Sequence, residues 1–283
     1  LDDARDFAGV FLGDAAQGVA LGDGVIDAVD GQDGQVLAWA KEVGVVAQGA
    51  IGPQDRLRVE VELDRQRAHI VPRLDRVLDH LTAQALERCR GLFVLVSSIS
   101  VYPLEGHDLR ETTPIPLDAV TGFYGIAKLM SEARVRRWAE KTGRGAVILR
   151  LSSMLGPDSP RNATVRLIEG AETLPLTGDS ELRYVTHDDV GDVVSACLGA
   201  GCPGPNVVET YNVSAPDAIR LDEVASLAGR TPRFGPIRYT APPTPIDRAL
   251  ELSPSLRGSS RDRIIAEIDR RLGAAAPRHG QST

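Results

Sequence analysis

Tyr124-Gly125-Ile126-Ala127-Lys128 sets a phenol and an ammonium four residues apart, a spacing that brings both to one face of a helix. A free tyrosine, with a pKa of about 10, is a poor base near neutrality. A lysine charge held beside it favours the phenolate, and such a pair can take a proton from a hydroxyl group. The spacing alone is also met by ordinary surface pairs, so its meaning depends on its surroundings. Ser98 lies 26 residues before Tyr124, with Glu111, Pro114 and Pro116 between them. It closes the apolar run Gly91-Leu92-Phe93-Val94-Leu95-Val96-Ser97. A second apolar run, Ala146 to Leu151, leads into Ser152-Ser153-Met154-Leu155-Gly156-Pro157. Ser97 and Ser100 read as strand-end and turn residues, consistent with the local bonding of serine in turns.

The elements that must position these residues follow from periodicity. Continuous apolar runs of strand length, without polar alternation, predict strands buried on both faces, as in a parallel sheet covered by helices. Pro72 to Arg88 carries Leu74, Val77, Leu78, Leu81 and Leu86 at helical spacing, with Pro72 suited to a first turn. Tyr124 to Lys141 reads as a helix stopped by Gly143 and Gly145. The β-α-β-α-β succession predicts an α/β fold with a doubly wound parallel sheet and right-handed crossovers. Ligands of such sheets sit outside the carboxyl ends of the strands, which is where Ser98 and Ser153 fall. After Pro157 prolines and glycines become frequent and strands short. Helices are expected at Leu221 to Leu227 and Arg261 to Leu272, with a frayed tail from Pro277 to Thr283. The expected division is residues 1–157, an incomplete dinucleotide-binding unit, and 158–283, mainly a smaller substrate-binding portion with segments returning to the sheet.

Composition narrows the function classes. A net charge of -7 over 283 residues argues against general nucleic-acid binding, which needs a concentrated basic surface. No apolar run reaches the roughly 18 residues of a membrane span. The acidic first residues, Leu1 to Asp6, do not resemble a signal peptide. Cys89, Cys197 and Cys202 are too few and too irregular for a disulfide framework or a zinc site. A cytoplasmic setting is the expectation.

Taken together, the segment from Phe93 to Pro157 resembles the extended short-chain dehydrogenase/reductases, in particular their NAD-dependent epimerase/dehydratase branch. The likeness rests on Ser98 four residues before the tyrosine of Val101-Tyr102, on Glu111, Pro114 and Pro116, on Tyr124-Gly125-x-x-Lys128, and on Arg150-x-x-Ser153-x-Leu155-Gly156-Pro157. More loosely, Arg183-Tyr184-Val185-Thr186-His187-Asp188-Asp189-Val190 and Tyr211-Asn212-Val213-Ser214 are similar to later motifs of that branch. The resemblance implies a Rossmann-like fold, Tyr124 as base, Lys128 as its tuner and holder of the nicotinamide ribose, and Ser98 as hydrogen-bond partner of the reacting hydroxyl.

Departures from the pattern matter as much. Ser153 stands where the family has a substrate-contacting asparagine and Leu155 where it has a tyrosine, which puts the usual nucleotide-sugar contacts in question. Thr186 stands at the family's histidine, with His187 one position later. Consecutive His187, Asp188 and Asp189 suit no common metal geometry; Asp188 or Asp189 is expected to cap a helix beginning near Val190. Arg183, one position later than the family's arginine, is either a pyrophosphate-binding fork or half of a surface salt bridge.

The family opens with a strand and Gly-x-x-Gly-x-x-Gly, whose amides bind pyrophosphate at a helix N-terminus. Gly18-Val19-Ala20-Leu21-Gly22-Asp23-Gly24 has a related spacing but no apolar strand before it. Another register fits better. Asp2 and Asp3 would end the second strand and hold the adenine ribose, Val19 to Asp23 would be the third strand with the Asp23 carboxylate near adenine, and Val45 to Ala50 the fourth, with Gly49 on the cofactor side. The first strand, glycine loop and first helix are then expected before residue 1. An acid at Asp2 or Asp3 favours NAD over NADP, because it bonds the ribose 2′-OH and repels a 2′-phosphate.

The expected function is therefore an NAD-dependent epimerase or dehydratase acting on a nucleotide-sugar by Tyr-Lys-assisted hydride transfer. The alternatives are a reductase or dehydrogenase of the same family with a smaller substrate, or a non-catalytic relic that no longer binds cofactor. The resemblance also implies a homodimer formed through a helix pair.

Overall fold

The computed structural model describes residues 27–30, 36–40, 45–49, 82–103, 108–120, 123–157, 159, 161–199 and 203–273. Helix α1 (82–88) precedes strand β4 (Phe93–Ser98), and helix α2 (Phe123–Thr142) connects it to β5 (Ala146–Leu151). Every residue of β4 and β5 is buried, as their unbroken apolar runs require. They pair in parallel from Phe93 opposite Ala146 to Ser98 opposite Leu151. The strand is longer than its apolar run because Ser97 and Ser98 keep their ladder partners. On the other side of β5 lies β10 (Val208–Val213), also parallel, from Val208 opposite Ala146 to Val213 opposite Leu151. The carboxyl ends of three strands thus align at Ser98, Leu151 and Val213.

Side chains alternate between faces along each strand. Phe93, Leu95, Ala146 and Ile148 form one core with Ala127, Val135 and Ala139 of α2. Val94, Val96, Val147 and Leu149 form another with Val190, Val193, Val194 and Cys197 of α4 (His187–Gly199). Helices on both faces of parallel strands are the doubly wound arrangement expected from the sequence. Helix α2 ends where Gly143 takes φ +70°, a left-handed stop suited to glycine.

The far side of the sheet differs from expectation. Strands β1 (Asp27–Asp30), β2 (Val36–Ala40) and β3 (Val45–Gly49) continue it in the order β1-β2-β3-β4, each antiparallel to the next. Val45 to Ala50 was expected as a parallel fourth strand. A strand is present there, but Val45 lies opposite Leu95 and Ala47 opposite Phe93 in antiparallel register. Loop length accounts for the hairpins: β1 to β2 leaves residues 31–35 and β2 to β3 leaves 41–44, whereas a parallel crossover needs a dozen or more. Gly49 is the last residue of β3, opposite Val36. Asp2, Asp3, Asp23 and the expected third strand lie outside the described residues, as does the tail from Pro277.

Beyond Leu151 the chain forms smaller units. β6 (Ser153–Leu155) pairs in parallel with β9 (Tyr184–Thr186), β7 (Thr173–Leu176) in parallel with β12 (Arg233–Ile237), and β8 (Glu181–Leu182) antiparallel with β11 (Ile219–Arg220). Helices α3 (Ala163–Ile168), α5 (Leu221–Leu227) and α7 (Ser260–Ile268) enclose a separate core containing Leu155, Leu167, Tyr184, Leu221 and Ile264. A short α6 (Asp247–Leu252) returns to the sheet core through Ala249. The helix expected at Arg261 to Leu272 is α7 followed by a wider turn over Asp269–Gly273. No described helix is long and apolar enough to cross a membrane.

Candidate active site

At the end of β4 the chain turns sharply through a 3-10 turn, Ile99–Val101. Ser98 caps this turn: its Oγ accepts from the Ser100 amide at 3.1 Å and donates to Ser100 Oγ at 3.1 Å. The first turn of α2 packs directly on it. A Cβ on Gly125 would fall 2.2 Å from the Ser100 carbonyl oxygen, so only glycine lets the Tyr124–Lys128 segment approach so closely. Lys128 is buried and donates from Nζ to the Val96 carbonyl at 2.9 Å. The same ammonium lies 5.7 Å from the centroid of the half-buried Tyr124 ring. Ser98 and the Tyr124–Lys128 pair, 26 residues further along the chain, are thus brought to one edge of the sheet.

An ammonium has three donors, and Val96 O is the one acceptor that Lys128 Nζ reaches among the described residues. A buried charge with unfilled donors is costly, so this end of the sheet is suited to a ligand that supplies hydroxyl oxygens or negative charge.

Beneath the turn runs a buried polar chain that the sequence reading missed. Ser97 Oγ donates to Glu132 Oε1 at 2.7 Å. Arg150 donates to both oxygens of Glu132, Nε to Oε1 at 3.0 Å and Nη2 to Oε2 at 2.7 Å. Arg150 Nη1 reaches the Tyr102 hydroxyl at 2.8 Å, and that hydroxyl donates to Asn212 Oδ1 at 2.8 Å. Asn212 Nδ2 in turn donates to the carbonyls of Leu109 and Pro245, and its amide to Glu111 Oε1. Burial opposes the Arg150 charge, but Glu132 and Tyr102 outweigh it and hold the guanidinium above its ordinary value. Burial likewise pushes the Tyr102 phenol up despite Arg150, so Tyr102 stays a donor. One signal was legible: Glu132 follows Lys128 by four residues and Tyr124 by eight, on the same helical stripe.

The remaining candidates are distributed more widely. Ser153, half-buried, is tied by its amide to the Arg183 carbonyl at 3.1 Å. Leu155, fully buried, belongs to the core of the smaller units. The neighbouring Ser152 hydroxyl is buried with no partner among the described residues. Among the described residues Arg183 makes no ion pair. It is half-buried and donates from Nη1 to the carbonyls of Ala215 at 3.1 Å and Pro216 at 2.6 Å, while its buried Nε meets no partner among those residues. Burial lowers its pKa, with Asp217 and Glu181 acting the other way.

Helix α4 begins at His187, not near Val190. Thr186 caps it: Thr186 Oγ1 accepts from the Asp189 amide at 3.1 Å while Asp189 Oδ2 accepts from the Thr186 amide at 2.7 Å. This reciprocal pair is a capping box, so Asp189 closes the cap rather than forming it. His187 stacks beside Gly156, whose φ is +146° and where a Cβ would fall 2.6 Å from His187 Nδ1. Among the described residues no three His, Cys, Asp or Glu side chains gather as a metal site.

The model of the NAD dependent epimerase/dehydratase family matches residues 74–213. No curated protein matches the chain. Among solved structures the chain is similar to UDP-glucuronic acid 4-epimerase from Bacillus cereus in complex with UDP-glucuronic acid and NAD. That match has 23% identity over 68% of this chain and 67% of that chain, with a TM-score of 0.54. It is also similar to MoeE5 in complex with UDP-glucuronic acid and NAD (19% identity, 69% and 70%, TM-score 0.56). A third is dTDP-glucose 4,6-dehydratase from Bacillus anthracis str. Ames in complex with NAD (13% identity, 70% and 66%, TM-score 0.53). At these identities the likeness establishes the fold. The matched segment spans β4, the Ser98 turn, α2, β5 and β10, and these residues, 74–213, are similar to the NAD dependent epimerase/dehydratase family.

Proposed function

We propose that the protein is an NAD-dependent epimerase or dehydratase of a nucleotide-sugar, with Ser98, Tyr124 and Lys128 as its reacting set. The observation that carries the reading is the buried Lys128 ammonium, held by one carbonyl at 2.9 Å and facing the Tyr124 ring at 5.7 Å. Lys128 and Tyr124 fit the nicotinamide ribose, because Lys128 has donors to spare for ribose hydroxyls. When bound, NAD would take up a hydride from the sugar carbon and return it. Tyr124 acts as the general base that takes the proton of the hydroxyl on that carbon. Lys128 stabilises the negative charge on Tyr124. Ser98 orients the hydroxyl, exchanging its bond to Ser100 for one to substrate. The partners assigned to the adenine half, Asp2, Asp3 and Asp23, belong to this reading by the family resemblance alone. Ser153 and Arg183 are the side chains proposed to meet the sugar and its pyrophosphate.

One observation favours a second reading, a reductase with a smaller substrate. Leu155 is packed into the core at the place of the family's tyrosine, so a polar substrate contact is lost there.

The test is direct. Purified protein is titrated with NAD, then incubated with NAD and UDP- or dTDP-sugars while absorbance at 340 nm and product chromatography are followed. Tyr124→Phe should lower turnover by about 100-fold or more and leave NAD affinity nearly unchanged. Folded protein that binds no NAD sinks the reading. Turnover retained in Tyr124→Phe removes Tyr124 from its role.

A further inference from the structure

Glu132 belongs to none of the roles described so far, yet three elements converge on its carboxylate. Ser97 from β4 and Arg150 from β5 both bond it, and Glu132 itself stands on α2. Ser97, Glu132 and Arg150 are only 3%, 3% and 4% exposed, so water does not share these bonds. Ser97 immediately precedes Ser98, and Glu132 lies one helical turn beyond Lys128. The second arm runs through Arg150 to the hydroxyl of Tyr102, the residue that follows the 3-10 turn. The turn bearing Ser98 is therefore tied on both flanks to one carboxylate on the helix of Tyr124 and Lys128.

We propose that Glu132 is a positioning residue: through Ser97 on one side and Arg150 with Tyr102 on the other, it sets the register of the Ser98 turn against the Tyr124–Lys128 face of α2. The helix meets the sheet through the small side chains of Ala127, Val135 and Ala139, with Trp138 against Phe93 at 5.8 Å further along. Apolar contacts of this kind are not directional, whereas hydrogen bonds to a shared carboxylate fix an orientation. Nor is stability a sufficient reason for the ion pair, since well-packed apolar residues can replace a buried pair with little loss. The inference rests on reading Ser98, Tyr124 and Lys128 as the reacting set.

The test uses the full chain labelled with 3-fluorotyrosine, whose five tyrosines give separate 19F resonances. The Tyr124 line is assigned by its loss in Tyr124→Phe. Two variants are compared with wild type: the apolar double replacement E132L/R150M, which removes the pair without leaving a lone charge, and S97A, which removes only the β4 arm. The expected result is near-wild-type thermal stability in both, with the Tyr124 line displaced or broadened in both. In protein that turns over a nucleotide-sugar, kcat should also fall by on the order of 100-fold in E132L/R150M, with NAD affinity within about twofold of wild type. A Tyr124 line that superimposes on wild type in every variant that folds overturns the proposal. If E132L/R150M does not fold, S97A decides by the same criterion. If wild type neither binds NAD nor turns over any sugar, the functional reading fails by itself, and the 19F comparison still decides the role of Glu132.

Discussion

Glu132 with Arg150 below the Ser98 turn, and Asp189 with Arg263 at the start of α4, make the same fork-to-fork contact in two regions of the molecule. The distances are 3.0 and 2.7 Å in the first and 2.7 and 3.0 Å in the second, and both pairs are buried. What differs is where their other bonds lead. The first pair reaches outward through the side chains of Ser97 and Tyr102, which flank a proposed catalytic residue. The second ends on a helix cap and on backbone: Asp189 accepts from the amide and hydroxyl of Thr186, and Arg263 donates to the carbonyls of Ser255, Gly258 and Ser259. It fastens α4 to the chain entering α7. One chemical unit, set in two surroundings, is proposed to position a reaction in one and closes a fold in the other.

The largest expected effect tests the fastening side. Asp189→Ala leaves Arg263 buried and unpaired, and should cost about 3–5 kcal/mol in urea unfolding. The double variant D189L/R263M should recover most of that loss. Turnover per folded molecule should stay unchanged in both, unlike the loss expected at Glu132. A D189A protein within about 1 kcal/mol of wild type would mean that the pair is solvated and the comparison ill-founded.

The same region should govern acid stability. Burial opposes the Asp189 charge, but Arg263 and the Thr186 amide outweigh it and hold the carboxyl below its ordinary range. A depressed carboxyl contributes stability that is fully present above its unfolded value of about 4 and is lost as pH falls through the folded value. Glu267, held down by Arg270 and Arg271 against the cost of burial, adds to the same acid limb. Wild type should therefore lose stability steeply below about pH 4, and Asp189→Asn should show a lower plateau with a shallower acid limb. An unchanged acid slope in Asp189→Asn would remove this pair from the explanation.

Two glycines repeat the contrast at a smaller scale. Alanine at Gly125 would press its Cβ to 2.2 Å from the Ser100 carbonyl, and alanine at Gly156 to 2.6 Å from His187 Nδ1 with φ at +146°. Each should cost about 1–3 kcal/mol. Only Gly125→Ala should lower kcat beyond its effect on folding, because α2 must retreat from the Ser98 turn. Equal losses of kcat per folded molecule in both would dissolve the distinction between the two regions.

How much of this was legible in the sequence follows the same division. β4 and β5 could be read because their apolar residues are buried on both faces and leave unbroken runs, and α2 because Gly143 and Gly145 mark its stop. The Tyr124 and Lys128 pair could be read because helix geometry fixes its neighbours. The strand at Val45 to Ala50 was expected to be parallel because family spacing was followed, and β1 and β2, whose short loops allow only hairpins, were not anticipated. Glu132, Arg150, Tyr102 and Asn212 escaped notice as a unit because their bonds join residues 18 to 110 positions apart, a separation that no local period encodes. Thr186 was missed as a cap because Asp188 and Asp189, stronger cap formers by type, stood beside it.

The smallest effect belongs to the same chemistry at the surface. Arg161 Nε lies 2.9 Å from Glu169 Oε2, as close as the buried forks, but the arginine side chain is 63% exposed. Water and salt screen such a pair, and two long side chains must be ordered to hold it. Glu169 also keeps Arg271 at 2.7 Å when Arg161 is gone. Arg161→Gln should therefore change unfolding free energy by less than about 0.5 kcal/mol, with the remainder vanishing by about 1 M salt. A loss comparable to that of Asp189→Ala would show that burial is not what separates these pairs. Distance alone would then have to carry the energy, and the buried forks would lose their special standing in both regions.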